Sequence, residues 1–348
     1  MTGLLGLTSP LWPIRYKPLP DELLSSWLVR LAHGHGMKVQ TFCNLLFGNQ
    51  LQVWNRDIDR LAPPWLLDSL VLHTGTPPEM AFGTTLRVFE GIVAPKFKLS
   101  GIVQWVQSMK MYHRKREGFG LQYCPACLRC DPVPYFRKTW RLSLKTFCVT
   151  HQCRLLDVCP DCSAPVSFHR LDMGRPEAGV DLPLCTCHDC GCDLASAPIK
   201  PPEVIDEEGL EALQRLLMEI DALSIGNPSQ LDPSALAVLR HLTVMMLSRK
   251  RGQHLLEYLT DRFGLTPPAI APGNRPFIET QSNATRHTLL VMACWLLCSP
   301  QVRLIQAYEA DAFRHNHLLR DFTDPPGWYA QVVASIDPHR MRPRARAC

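Results

Sequence analysis

Residues 148–162 read Cys148-Val149-Thr150-His151-Gln152-Cys153-Arg154-Leu155-Leu156-Asp157-Val158-Cys159-Pro160-Asp161-Cys162. A C-x2-H pair is followed closely by a C-x2-C pair. Working outward, Cys124-Pro125-Ala126-Cys127 precedes this stretch and Cys187-His188-Asp189-Cys190 follows it. A turn of this spacing holds two soft donors beside one ion, and two such turns complete a tetrahedron. The spacing therefore predicts two structural zinc ions. Cys124, Cys127, Cys148 and His151 hold the first; Cys159, Cys162, Cys187 and Cys190 hold the second. Sequential pairing needs shorter loop closure than cross-bracing of alternate turns, which stays open at this stage. Cys185 and Cys192 flank the last turn as alternative ligands, and Cys130 and Cys153 are surplus near the first site. An imidazole ligand favours zinc over an iron–sulfur cluster, which thiolates alone usually hold.

Four donors close each shell, so no coordination position is left to activate water. Cys148 and His151 lie inside a metal-spaced array, which argues against a nucleophile and its base. The chain has no Walker A motif, no G-x-G-x-x-G and no G-x-S-x-G. His33 and His35 flank a glycine and read as a polar turn. These observations argue against an enzyme.

Composition sets the wider frame. With 46% hydrophobic and 20% charged residues in 348, the chain reads as globular rather than disordered. Eleven of the 15 cysteines fall between Cys124 and Cys192, as metal sites require and a disulfide framework does not. The longest apolar run, Leu289 to Cys298, falls short of the roughly 20 residues that span a bilayer. No signal peptide is visible, so the reading is a soluble, cytoplasmic protein with no membrane role.

Charge is segregated. From Val93 to Lys145 eleven basic residues face two acidic ones, Glu117 and Asp131, while the whole chain carries only +5. Lys110, Arg114, Lys115, Arg116, Arg137, Lys138 and Arg141 are the candidate contacts with nucleic acid or an acidic protein surface.

Three parts follow. Residues 1–92 read as helical. Asp21 is the expected N-cap of a helix with Leu23, Leu24, Trp27, Leu28 and Leu31 on one face. Gly34 and Gly36 break it, and Val39, Phe42, Cys43 and Leu46 start a second helix that stops at Gly48. This is the outline of a helix-turn-helix. Further helices fit 57–73, interrupted at Ala62-Pro63-Pro64, and 78–90. Residues 93–200 are the basic double-knuckle part, with short strands and tight turns, closed by a proline-rich linker. Residues 201–348 return to helices at 204–223, 233–248, 252–263, 285–298 and 300–317, with a surface loop over 264–283. The fold class is mainly α: a helix-turn-helix N-terminal part, a small zinc-ribbon or knuckle α+β middle domain, and a helical C-terminal domain.

The stretch Pro20-Asp21-Glu22-Leu23-Leu24-Ser25-Ser26-Trp27-Leu28-Val29-Arg30-Leu31-Ala32 resembles the opening of TniQ family proteins. Tyr123-Cys124-Pro125-x-Cys127 with Tyr135-Phe136-Arg137-x-x-Trp140 is similar as well. So are the Cys148–Cys162 run and Cys190-Gly191-Cys192-Asp193-Leu194. The resemblance covers about 1–200. It implies a non-enzymatic target-selection adaptor of a bacterial transposon. Such a protein links a target-recognition complex to a TnsC-like AAA+ ATPase. The target complex is CRISPR Cascade with its guide RNA, or target DNA itself, and the resemblance includes a homodimer. The competing reading is a zinc-containing protein that recognises its DNA site directly. Tyr135, Arg137 and Trp140 read as packing and orienting residues of the first knuckle rather than base-stacking ones.

Overall fold

The computed structural model describes residues 10–48, 53–107, 110–112, 115–117, 121–171, 182–248, 253–271 and 277–336. The chain packs as two compact units. Residues 1–203, 216–233 and 279–283 form the first; 204–215, 234–278 and 284–348 form the second. The sequence reading divides the chain after residues 92 and 200.

The first unit begins with α1 (Leu24–Gly34) and α2 (Val39–Phe47). Gly36 takes φ +65° in the turn between them. Gly34 is fixed by close packing: a Cβ there would lie 2.4 Å from Tyr16 Cε2. Asp21 is not the cap of α1. It sits at φ +58°, and Leu23 occupies the N-cap position with no side-chain hydrogen bond. Asp21 holds the middle segment instead: its carbonyl accepts from Lys138 N at 2.8 Å and its carboxylate from Thr139 Oγ1 at 2.7 Å.

Residues 24 to 32 of α1 are buried all round, not on one face. The polar residues are satisfied internally. Ser25 donates from N and Oγ to Asp59 at 2.8 and 2.9 Å. Ser26 Oγ donates to Glu22 at 3.0 Å, and Arg30 pairs with the same carboxylate at 2.6 Å. A helix sunk this deeply has no free face, so in this helix pair only α2 presents one, through Gln40, Thr41, Asn44 and Leu45.

The expected 57–73 helix is two. Asp57 caps α3 (Ile58–Leu61), which ends at left-handed Ala62, and Pro64 opens α4 (Pro64–Thr74). The prolines remove the donors and the helical geometry needed to run through. Next, α5 (Pro78–Phe82) stops at Gly83, and a 3-10 turn, Leu86–Phe89, follows under a Thr85 cap. Among the described residues, two antiparallel ribbons make up the unit's strands. β1 (Lys110–Tyr112) pairs with β2 (Lys115–Glu117), Lys110 opposite Glu117. β3 (Phe147–Cys148) pairs with β4 (Cys153–Arg154), Cys148 opposite Cys153. Between them lies α6 (Pro125–Cys130), a helix the sequence reading did not contain.

Helix α7 (Glu207–Ser224) carries Glu207 and Glu208 in its first turn, where the helix dipole favours them. The second unit holds α8 (Pro233–Leu247) from its second residue, α9 (Gln253–Arg262), α10 (Asn283–Cys298) from its second residue, α11 (Pro300–Glu309) and α12 (Gly327–Ala334). Leu289 to Leu296 is buried throughout, as an apolar-all-round helix must be. The expected 300–317 helix ends at Glu309, with Asp311 at φ +63° and a 3-10 turn at His315–His317. Helix α12 is a further addition. Part of the expected surface loop is not at the surface. Glu279, Gln281 and Asn283 are buried in the first unit, where Glu279 accepts from Trp105 N at 2.9 Å and Asn283 N donates to Asp157 at 2.6 Å. Among the described residues no single helix is long and apolar enough to cross a membrane.

Candidate metal centres

The first centre is assembled by one helix start and one hairpin. Cys124 is the N-cap of α6, its Sγ accepting from Cys127 N at 3.3 Å, and Pro125 presets the first helical residue. This brings Cys124 and Cys127 to the same side. Cys148 ends β3, and His151 lies in the turn toward β4, which Gln152 closes at φ +47°. The four donor atoms lie within 4.8 Å of one another. His151 Nδ1 is 3.7, 3.3 and 3.5 Å from the Sγ atoms of Cys124, Cys127 and Cys148, and Cys127 Sγ is 3.7 Å from Cys148 Sγ. A tetrahedral zinc with Zn–S of about 2.3 Å and Zn–N of about 2.0 Å spaces its donors about 3.5–3.8 Å apart. The residues fit such an ion in number, chemistry and spacing.

The thiols also perturb one another. Contact with Cys124, then with Cys148, then burial push the Cys127 thiol far above its ordinary value. Contacts with Cys124 and Cys127 hold Cys148 far below it. Crowded thiols share protons in this way until a dication takes their place.

The second centre is built from two turns of the same form. In residues 159–164, Cys159 N donates to Ala164 O at 2.9 Å and Ser163 sits at φ +59°. In residues 187–192, Cys187 N donates to Cys192 O at 2.7 Å and Gly191 sits at φ +83°. Cys159, Cys162, Cys187 and Cys190 again place four donors within 4.8 Å. Cys159 Sγ is 3.6 Å from Cys190 Sγ, and Cys162 Sγ is 3.7 Å from Cys187 Sγ. This centre is the more open: Cys190 is exposed and Cys162 half-buried. Of the alternative ligands, Cys192 lies 3.2 Å from Cys159 Sγ and groups with Asp161 and Cys190, while Cys185 is buried outside these groups. Cys153 lies 3.4 Å from Cys124 Sγ, outside the first four, and Cys130 is exposed at the end of α6.

The basic stretch needs a correction. Arg141 is fully buried, 2.6 Å from Asp57 and 3.1 Å from Asp59. Lys138 is buried 3.6 Å from Asp21, and Lys145 is buried against Asp221 at 2.5 Å. Arg137 makes a two-pronged pair with Asp131 at 3.0 and 2.9 Å and lies over the rings of Tyr135 and Trp140. The expected surface row at Lys138 and Arg141 is therefore interior. These cations are paired because burying a lone charge is far more costly than burying a partnered one. The acids come from Asp21, Asp57, Asp59 and Asp221, far away in sequence, so no local signal announces them. Lys110, Lys115 and Arg116 lie on the β1–β2 backbone ribbon; their side chains, and all of Arg114, fall outside the described residues.

The two centres are tied together within the unit. Helix α6 packs on the 3-10 turn Leu194–Ser196, where Arg129 donates to Ala195 O. Tyr123, the residue before Cys124, exchanges backbone hydrogen bonds with Leu156 and points its hydroxyl at Val158 O, one residue before Cys159. No curated protein matches the chain. The TniQ family model matches residues 13–155, from the segment ahead of α1 through the whole first centre, so this part of the chain is a TniQ domain.

Proposed function

We propose that this chain is a non-enzymatic target-selection adaptor of a bacterial transposon, linking a target-recognition complex to a TnsC-like AAA+ ATPase. The TniQ domain ties it to transposition-associated target selection. The observation that carries the adaptor reading is the internal pairing of Arg137, Lys138, Arg141 and Lys145. A protein that reads naked DNA neutralises phosphates with free cations, and these four are spent on carboxylates of the same chain. The two clusters suit the same role. Cys124, Cys127, Cys148 and His151, and Cys159, Cys162, Cys187 and Cys190, would each close a shell around zinc and stiffen a docking platform. The target complex is Cascade with guide RNA, or target DNA presented within a complex, and the adaptor acts as a homodimer.

Co-expression with the neighbouring transposition proteins tests this. The full chain is expected to co-purify with the ATPase and with the target complex, and to bind naked DNA weakly, with little response to salt. Tight, steeply salt-dependent binding to naked DNA with no ATPase association would reject the adaptor in favour of a direct DNA reader.

A further inference from the structure

The turns Cys148–Cys153 and Cys187–Cys192 share one design. Each sets its first cysteine opposite its sixth residue, also cysteine, and each has its fifth residue, Gln152 or Gly191, in the left-handed region. This puts an additional sulfur beside each centre. Cys153 Sγ lies 3.4 Å from Cys124 Sγ, and Cys192 Sγ lies 3.2 Å from Cys159 Sγ. A closed tetrahedral shell has no place for a fifth thiol. Each centre thus keeps a spare sulfur in contact with one of its own ligands.

The two spares differ in access. Cys124 and Cys153 are fully buried, inside a centre whose three thiols are all buried. Cys192 is half-buried and its neighbour Cys190 is exposed. Oxidation of a thiol follows exposure, so of the two spare sulfurs a small oxidant reaches only Cys192, with its contact Cys159 buried beneath it.

We propose that Cys159 and Cys192 form an oxidation site: a hydroperoxide converts them to a disulfide, and the second centre then releases its ion. The Cys192 thiolate attacks the peroxide oxygen, the O–O bond breaks, and sulfenic acid forms as hydroxide leaves. The Cys159 thiolate then attacks the Cys192 sulfur and displaces a second hydroxide. Two thiols lose two electrons and two protons, and one hydrogen peroxide becomes two waters. The ion keeps only Cys162, Cys187 and Cys190. The first centre, with Cys153 shielded, keeps its ion and its fold. This rests on the reading of both clusters as metal centres, and it makes the second centre a peroxide-sensitive joint of the adaptor.

The test uses the full chain as purified. Metal is counted first by elemental analysis, then hydrogen peroxide is added with a colorimetric zinc chelator present, and disulfides are mapped by peptide mass spectrometry under non-reducing conditions. The expected result is two ions before treatment, loss of one on oxidation, and a Cys159–Cys192 cross-link that dithiothreitol reverses. C192S should still bind two ions but form no cross-link and release the second ion more slowly; C153S should behave as the wild type. Two ions with no Cys159–Cys192 cross-link, or release from C192S at the wild-type rate, would overturn the oxidation site while leaving the metal centres standing. Fewer than two ions in untreated protein would overturn the metal reading and this inference with it.

Discussion

Arg141 and Asp57 meet inside the protein, Nη2 to Oδ2 at 2.6 Å, with Arg141 wholly shielded from solvent. Asp59, held on the other side by Ser25, completes the pairing, so one guanidinium joins α1, α3 and the middle segment. R141A leaves two buried carboxylates without their cation, and removing one partner of such a pair costs about 3–5 kcal/mol. Urea unfolding should show a loss of that size. A surface contact residue would behave otherwise: stability unchanged, partner binding lost. R141K should recover only part of the stability, because an ammonium cannot reach both acids with a planar fork.

Ligand removal should read out as unfolding, not as inactivity. At a structural centre the free energy of metal binding is folding free energy. C148A is expected to lower the metal count from two to one and to abolish the cooperative transition of the first unit, followed by near-UV circular dichroism. C130S and C185S remove cysteines outside both four-donor groups and should keep both ions. Loss of metal from either control would reassign the ligands.

What the sequence made legible was local. The four pairs of donors are spaced by turns, so counting residues finds them, and the glycine or proline punctuation of α1, α2 and α3 is equally short-range. Long-range pairing was illegible. Asp57 stands 84 residues from Arg141, and Asp221 stands 76 from Lys145, so the stretch from Val93 to Lys145 reads as an unbalanced positive field until the fold brings acids to it. The burial of α1 was hidden for a related reason. Ser25, Ser26 and Arg30 look like a solvent face, and only the arrival of Asp59 and Glu22 lets that face be buried. Helix α6 escaped notice because its cap is a cysteine sulfur rather than one of the usual oxygen caps.

Glu22 gives the first unit a defined pH response. Burial, opposed chiefly by Arg30, pushes its carboxyl up from 4.5 to about 7. A carboxyl whose folded value is raised takes up its proton more readily in the folded state. Its contribution to stability is thus present below pH 4.5 and is lost as pH rises through about 7. E22Q mimics the protonated form and should remove that slope. The measurement is the difference in urea midpoint between wild type and E22Q across this window, which cancels effects of the metal ligands common to both. A constant difference would mean that Glu22 is ionised throughout.

Arg129 tests whether the two centres act as one platform. It reaches from the end of α6 to Ala195 O with Nε at 3.0 Å and Nη2 at 2.7 Å, and Asp193 fixes the acceptor turn by accepting from Ala195 N at 2.9 Å. The side chain is exposed, so R129A should cost only about 1 kcal/mol in global stability. Its larger effect should fall on coupling. In the wild type, mutating the second centre with C187A is expected to weaken ion retention at the first, because the turn that braces α6 loses its anchor. In an R129A background the same C187A change should have less effect on the first ion. Chelator competition on the four proteins closes a double-mutant cycle, and an interaction energy of zero would show that the two centres hold their ions independently.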